Sequence, residues 1–328
     1  VCGRANRPDR NALAEKERPT MLGKHTDLIA RPRPRSRKWF RGEGWTALFF
    51  LLPGLIGIVL FLVLPILASI VLSFTNWQLL GTPRFVGFSN YVRLFTTDPQ
   101  FWTVTRNTIF FMVEYLVLNI VISLGLATWI SSLKIGQRWF RVIFFLPTFT
   151  PLIAVAMVWM LIFTSGGLFD SLMAALSVPF AGVLNDRTFA MQAVVLASIW
   201  AGVGYNTVLF NAALDMVPAS YLEAARIDGA TAWDRFWKIR LPLISPTLFF
   251  GTVLTAITSL QVFDQIFVMT KGGPGSSTAT LGYAIYQRGF QNFQMGYASA
   301  IAWVMFALIM SLTALQFWFQ RKWVHYDA

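Results

Sequence analysis

Six long apolar stretches divide the chain, near residues 47–72, 106–131, 140–163, 190–212, 243–269 and 297–319. Each runs to about 20 residues or more, the length a helix needs to cross the hydrocarbon core of a bilayer. Pro53 and Pro65 fall inside the first stretch, Pro147 and Pro151 inside the third. Membrane helices accommodate such kinks where neighbours satisfy the freed carbonyls. The pattern therefore predicts an all-α membrane protein with six transmembrane helices over residues 46–328. Residues 1–45 are different: polar, basic and rich in Pro and Arg, as in Arg31-Pro32-Arg33-Pro34-Arg35. They lack apolar periodicity and read as a disordered tail. The first apolar run, from about Ala47, is too long for the h-region of a cleaved signal peptide.

Composition agrees with the pattern. Only 13% of the 328 residues are charged, half of the roughly 25% that a soluble fold carries. Most of the surface must therefore face something other than water. A formal net charge of +12 first leaves nucleic acid, anionic lipid and membrane topology open. Its distribution decides. With the N-terminus placed in the cytoplasm, inner segments hold 21 Lys and Arg and outer segments 6. The positive-inside rule then favours both termini in the cytoplasm. More than half of the excess, +7, sits in residues 1–45, so the charge is chiefly an orientation signal and the nucleic-acid reading falls away. Anionic lipid remains a partner of that charge. Cys2 is the one cysteine, and His25 and His325 lie in the terminal tails. A Cys- or His-built metal or catalytic centre is not expected.

The segment 215–242, between spans four and five, is the most informative. Pro218 suits the first position of a helix, Tyr221 to Ile227 continues it, and Gly229 suits the left-handed residue beyond its end. Thr231 and Asp234 have capping-box spacing and start a second short helix, which Leu241-Pro242 closes. The product is a helix–turn–helix too short and too charged to span. An ordinary polar loop is the alternative.

Within this segment, Glu223-Ala224-Ala225, three residues, Gly229, nine residues and Ile239-Arg240-Leu241-Pro242 resemble the EAA signature of ABC importer permeases. Phe85-Val86-Gly87-Phe88-Ser89-Asn90-Tyr91 resembles the first external loop of the carbohydrate-uptake, MalF-like branch. The run from Phe263 through Asp264, Gln265, Lys271 and Gly272 to Pro274 resembles the end of its fifth span. The resemblance covers roughly residues 45–328 and implies the fold of a type I ABC importer permease. It further implies that Glu223, Ala224, Ala225, Gly229, Ile239, Leu241 and Pro242 belong to a coupling helix docking on an ATPase. The partners it implies are a second, homologous permease, an ATPase subunit dimer and an extracytoplasmic solute-binding protein, in a bacterial or archaeal plasma membrane. The cargo it implies is a sugar.

No G-x4-G-K-[ST] phosphate loop occurs in the chain, so ATP and Mg2+ would be bound by partner subunits. No paired carboxylates, Ser–His–Asp set or metal cluster suited to catalysis is visible, and the chain reads as a non-enzymatic subunit without a cofactor of its own. Polar groups inside spans are costly and mark a bundle interior or an aqueous path. In span five, Thr258, Gln261, Asp264 and Gln265 fall within about 120° on a helical wheel at roughly 100° per residue. Phe263 and Phe267 are near them. Amide, carboxylate and aromatic groups together suit a sugar, though hydrogen bonding between helices also explains them. Tyr205 and Asn206 in span four are pathway candidates that packing explains as well. Glu114 in span two asks for a partner that the sequence does not supply. Small residues at Gly296, Ala298, Ser299, Ala300 and Ala302 suit a tight helix interface. The outer segments 76–105 and 271–296 either meet a binding protein or simply cap the bundle. Two other functions remain open: an autonomous secondary transporter or channel, and an ABC importer of another solute such as a glycerol phosphodiester.

Overall fold

The computed structural model describes residues 43–79, 81–178, 182–321 and 324. Nearly all of the expected tail, 1–45, lies outside the described residues. The chain divides into two compact units, Val1–Val63 and Leu64–Ala328. The regular elements among the described residues are all helices, without strands; a single isolated bridge pairs Thr75 with Phe85.

The first unit contributes α1 (Glu43–Ile58), which carries Pro53 inside it and continues into a π-helical turn, Val59–Val63. No residue of this turn is buried, and Phe49, Phe50 and Phe61 stand at least three-quarters exposed. A helix apolar all round and exposed is one solvated by lipid.

The second unit runs from α2 (Leu64–Ser73) and the short α3 (Ser89–Val92) to the long α4 (Pro99–Ser132). Asp98 caps α4, accepting from the Gln100 N–H at 3.0 Å, and Pro99 occupies its first turn, where a missing N–H is tolerated. Next come α5 (Gln137–Phe145), a 3₁₀ turn at Leu146–Phe149, α6 (Leu152–Phe163), α7 (Leu168–Ala175) and α8 (Ala190–Asp215). The chain then forms α9 (Ala219–Ile227), α10 (Ala232–Arg235), α11 (Leu241–Leu243) and α12 (Ser245–Leu260). It closes with α13 (Leu281–Tyr286) and α14 (Met295–Gln320).

Among the described residues, five stretches are long and apolar enough to cross a membrane: Trp45–Ser73, Pro99–Ser132, Leu152–Ala175, Ala190–Asp215 and Met295–Gln320. A sixth arises if Ala232–Leu243 and Ser245–Leu260, bent by 70°, count as one. Two expected spans differ from their sequence boundaries. The third does not run from 140 to 163. Pro147 and Pro151 each remove a backbone donor, and Thr150, ahead of Pro151, is extended at φ −78°, ψ 131°. Proline imposes that conformation on its predecessor. The helix breaks there, and α5 stands apart from α6. The fifth does not run unbroken from 243 to 269. It begins at Ser245 and ends at Leu260, and helix resumes only at Asp264.

α4, α8 and α12 form the centre. An apolar cluster including Phe111, Val194, Ile266, Leu281 and Ile301 fills one end of the bundle. A smaller one, with Ala127, Phe210, Leu214 and Ile244, fills the other. Between them the three helices exchange polar contacts. The Asn206 amide donates to Asn119 Oδ1 at 2.7 Å and to Thr255 Oγ1 at 2.8 Å. The Ser123 hydroxyl donates to the Val203 carbonyl at 3.0 Å. All of these side chains are buried. Interhelical hydrogen bonds of this kind contribute about 0.6–2 kcal/mol each. At Gly296, whose N–H donates to the Trp77 carbonyl, an added Cβ would run into the Thr75 carbonyl. Of the small residues opening α14, Gly296 thus lets two backbones meet.

Candidate functional site

The break after Leu260 opens onto a cavity within the second unit. Its volume is about 330 Å³, and its lining comes from α4, the start of α6, α8 and the segment 258–265. Gln261 ends α12 with φ −94°, ψ 12°, and the chain passes through Val262 and Phe263 before turning helical again. A broken helix in a membrane needs its freed carbonyls satisfied. The buried hydroxyl of Thr280 donates to the Val262 carbonyl at 3.1 Å. Thr280 is in turn held by its neighbours: the Leu281 N–H donates to Thr108 Oγ1 at 2.9 Å, and Asn107 Nδ2 to the Ala279 carbonyl at 3.0 Å. The segment 276–281 thereby bolts the break to the N-terminal turns of α4.

Thr258, Gln261, Asp264 and Gln265 all line this cavity. They do so across a helix break, not as the stripe of one continuous helix that the wheel assumes. Phe263 lines it as well, stacked on Phe267 at 5.4 Å, and Tyr286 backs both rings at 5.4 and 5.1 Å. The opposite wall contains residues that sequence reasoning missed: Phe111, Tyr115, Thr148 and Ser198. Phe111 and Tyr115 stack at 5.7 Å. Gly202 admits the Tyr115 hydroxyl, since a Cβ there would collide with it. Aromatic residues one turn apart in an apolar span leave no sequence signal beyond helical spacing.

The remaining pathway candidates lie elsewhere. Asn206 is spent on the α4–α8–α12 contacts, Tyr205 is exposed away from the cavity, and neither lines it. Glu114 also lies outside the lining, partly exposed, with Oε2 shielded and without a hydrogen-bond partner.

The second candidate region is the connection from α8 to α12. Pro218 is the N-cap of α9, one position earlier than expected. Gly229 has φ +79°, and nothing lies within 4 Å of where its Cβ would be. Backbone conformation, not space, thus calls for glycine. The Ala230 N–H donates to the Ala225 carbonyl at 2.8 Å and the Gly229 N–H to the Arg226 carbonyl at 3.1 Å. These are the two bonds of a Schellman motif. Thr231 and Asp234 form a capping box at the start of α10. Hydrogen bonds from Lys238 and Thr231 hold the Asp234 carboxyl down at about 2. The helix does not close at Leu241-Pro242. It runs through a π-helical turn, Phe236–Arg240, into α11 and bends at Ile244.

Nothing in α9 is buried. Glu223, Ala224 and Gly229 are exposed; Ala225, Ile239, Leu241 and Pro242 are half-buried. Around them Met216, Tyr221, Ile227, Trp233 and Trp237 are exposed. The two tryptophans, one helical turn apart with rings 5.4 Å from each other, add an apolar component that the motif did not contain.

Residues 119–325 match the family described as the binding-protein-dependent transport system inner membrane component. The probable ABC transporter permease protein YesP of Bacillus subtilis is 33% identical, covering 94% of this chain and 99% of its own length. The lactose transport system permease protein LacF of Rhizobium radiobacter is 32% identical, over 88% and 98%. The sn-glycerol-3-phosphate transport system permease protein UgpA of Brucella abortus is 34% identical, over 85% and 96%. Among solved structures, a bacterial alginate ABC transporter in complex with an alginate pentasaccharide-bound periplasmic protein matches in fold. It has a TM-score of 0.76 and 21% identity, over 85% of this chain and 95% of that one. The all-helical bundle with its apolar spans, the EAA loop and these likenesses agree: the chain belongs to the binding-protein-dependent transport inner membrane components and is a non-catalytic permease subunit of an ABC importer.

Proposed function

We propose that this permease forms half of a translocation pathway for a neutral, polyhydroxylated solute, and that α9 with its Gly229 turn is the coupling helix. The observation that carries the substrate class is the cavity lining. Gln261, Asp264 and Gln265 offer amides and a carboxylate to hydroxyl groups, while Phe263 and Tyr115 offer ring faces. A carboxylate accepts hydrogen bonds at both oxygens. Lys and Arg do not contribute to this lining, so the site suits a sugar better than a glycerol phosphodiester. The lactose permease LacF among its relatives points the same way, and the sn-glycerol-3-phosphate permease UgpA another way.

Six spans with both termini in the cytoplasm put the EAA loop on the inner face. There Glu223, Ala224, Ala225, Gly229, Ile239, Leu241 and Pro242 meet an ATPase subunit, which binds ATP and Mg2+. A second, homologous permease closes the pathway opposite the cavity, and an extracytoplasmic binding protein delivers solute. Nucleotide drives the permease pair between inward and outward access, which requires two global states with different exposure of one site. The setting is a bacterial or archaeal plasma membrane. Purification from that membrane tests the proposal: an ATPase, a second permease and ATP-dependent uptake of a sugar into proteoliposomes are expected. A stable oligomer of this chain alone that moves solute without ATP overturns it.

A further inference from the structure

The separation of α5 from the third span leaves a helix whose surroundings are fully specified on two sides and open on the third. One side is fixed to α4: Phe140 and Phe144 pack on Trp129 at 4.9 and 6.5 Å, and Gln137 Nε2 donates to the Leu133 carbonyl at 2.7 Å. The second side is fixed to α8. The Phe144 carbonyl sits where Gly204 would carry a Cβ, and Arg141 Nη2 binds Asp215 Oδ2 at 2.6 Å. The third side is a ridge of Trp139, Val142, Ile143 and Leu146, at i, i+3, i+4, i+7 spacing and all more than half exposed. Lys134 and Arg138 flank it, exposed, and neither has an acidic partner among the described residues.

We infer that the start of α5, with Lys134, Arg138 and Trp139, binds anionic phospholipid on the cytoplasmic leaflet. Unpaired cations at the start of a helix whose apolar ridge then runs inward beside α8, as far as Gly204, are the arrangement that seats that helix end at the level of the headgroups. Trp139 is suited to that depth because its ring is apolar and its N–H polar. The cations serve the phosphate headgroups, and the ridge serves the acyl boundary. The side of the membrane rests on the topology proposed above; the attraction to anionic lipid rests on α5 itself. Because Asp215 is the last residue of α8, the Arg141 pair fastens this lipid contact to the base of the α9 loop.

The test uses the purified transport complex in nanodiscs of equal phosphatidylcholine and phosphatidylglycerol, with retained lipid identified by native mass spectrometry. The wild type is expected to retain phosphatidylglycerol preferentially. A K134Q/R138Q variant is expected to lose roughly tenfold or more of that preference, the effect of two juxtamembrane cations, while ATP-dependent uptake persists. Equal retention by variant and wild type overturns the inference, and persisting uptake shows that the transport reading survives it. A photoreactive residue at Trp139 gives an independent reading: cross-links to lipid support the inference, and cross-links to another protein chain of the complex overturn it.

Discussion

The α9 loop and the cavity of the fifth span carry their information in different ways. The loop is held by bonds between residues close in sequence: Ala225 with Ala230, Arg226 with Gly229, Thr231 with Asp234. The cavity is held by bonds between distant residues: Thr280 with Val262, Thr108 with Leu281, Asn206 with Asn119 and Thr255. The loop stands exposed and shaped in advance, as the docking role proposed for it requires. The cavity exists only because several helices converge on a break.

Substitutions that break one region and spare the other sharpen this contrast. The largest effect is expected from Gly229→Pro. Proline fixes φ near −65°, whereas the native angle is +79°, and it removes the N–H bonded to Arg226. ATP-dependent uptake should fall to background with the complex still assembled. Gly229→Ala, strained by about 1–2 kcal/mol in the left-handed region, should retain part of it. Next comes Asp264→Asn. Loss of a charged hydrogen-bond acceptor costs about 1.5–3 kcal/mol, so half-maximal uptake should need roughly ten- to a hundredfold more solute, measured in proteoliposomes. Asn206→Leu removes the amide that donates to buried Asn119 Oδ1 and Thr255 Oγ1, leaving that Asn119 oxygen only the long 3.4 Å bond from Ser123, and should cost about 1–3 kcal/mol of stability, read as a lower unfolding temperature of the complex. The smallest effect concerns pH. Asp234 has a folded pKa of about 2, below its ordinary 3.8. Its capping contribution is therefore complete above pH 3.8 and lost as pH falls toward 2. Faster hydrogen exchange at the start of α10 should accompany that window, with no change between neutral pH and pH 5.

The same contrast explains how far the sequence could be read. Gly229, Thr231 and Asp234 act within a few residues of themselves, so spacing alone revealed the turn and the capping box. The spans at 190–212 and 297–319 were legible because apolar length is a local property, and α8 and α14 extend them by only a few residues. The two prolines in the third span were visible, but not that they would end the helix: bilayer helices bear proline where neighbours supply donors, and at 146–151 the chain takes a break. The cavity was half legible. Thr258, Gln261, Asp264 and Gln265 stand out as polar residues in an apolar run, whereas Tyr115 and Phe111 look like any aromatic lining of a core. Asn206 looked like a pathway group because sequence cannot tell a polar side chain facing a cavity from one facing two other helices.

If the cavity selects solute and the loop transmits ATP hydrolysis, the two tasks must separate in a single preparation. The deciding measurement is uptake and ATP hydrolysis recorded together, over a range of solute concentrations, in the reconstituted complex carrying Asp264→Asn or Gly229→Pro. Asp264→Asn should shift the concentration dependence and leave the number of ATP molecules hydrolysed per solute unchanged. Gly229→Pro should leave solute binding unchanged and abolish the link between hydrolysis and uptake. A Gly229→Pro complex that couples normally, or an Asp264→Asn complex with altered stoichiometry and unaltered affinity, would contradict the assignment of these roles.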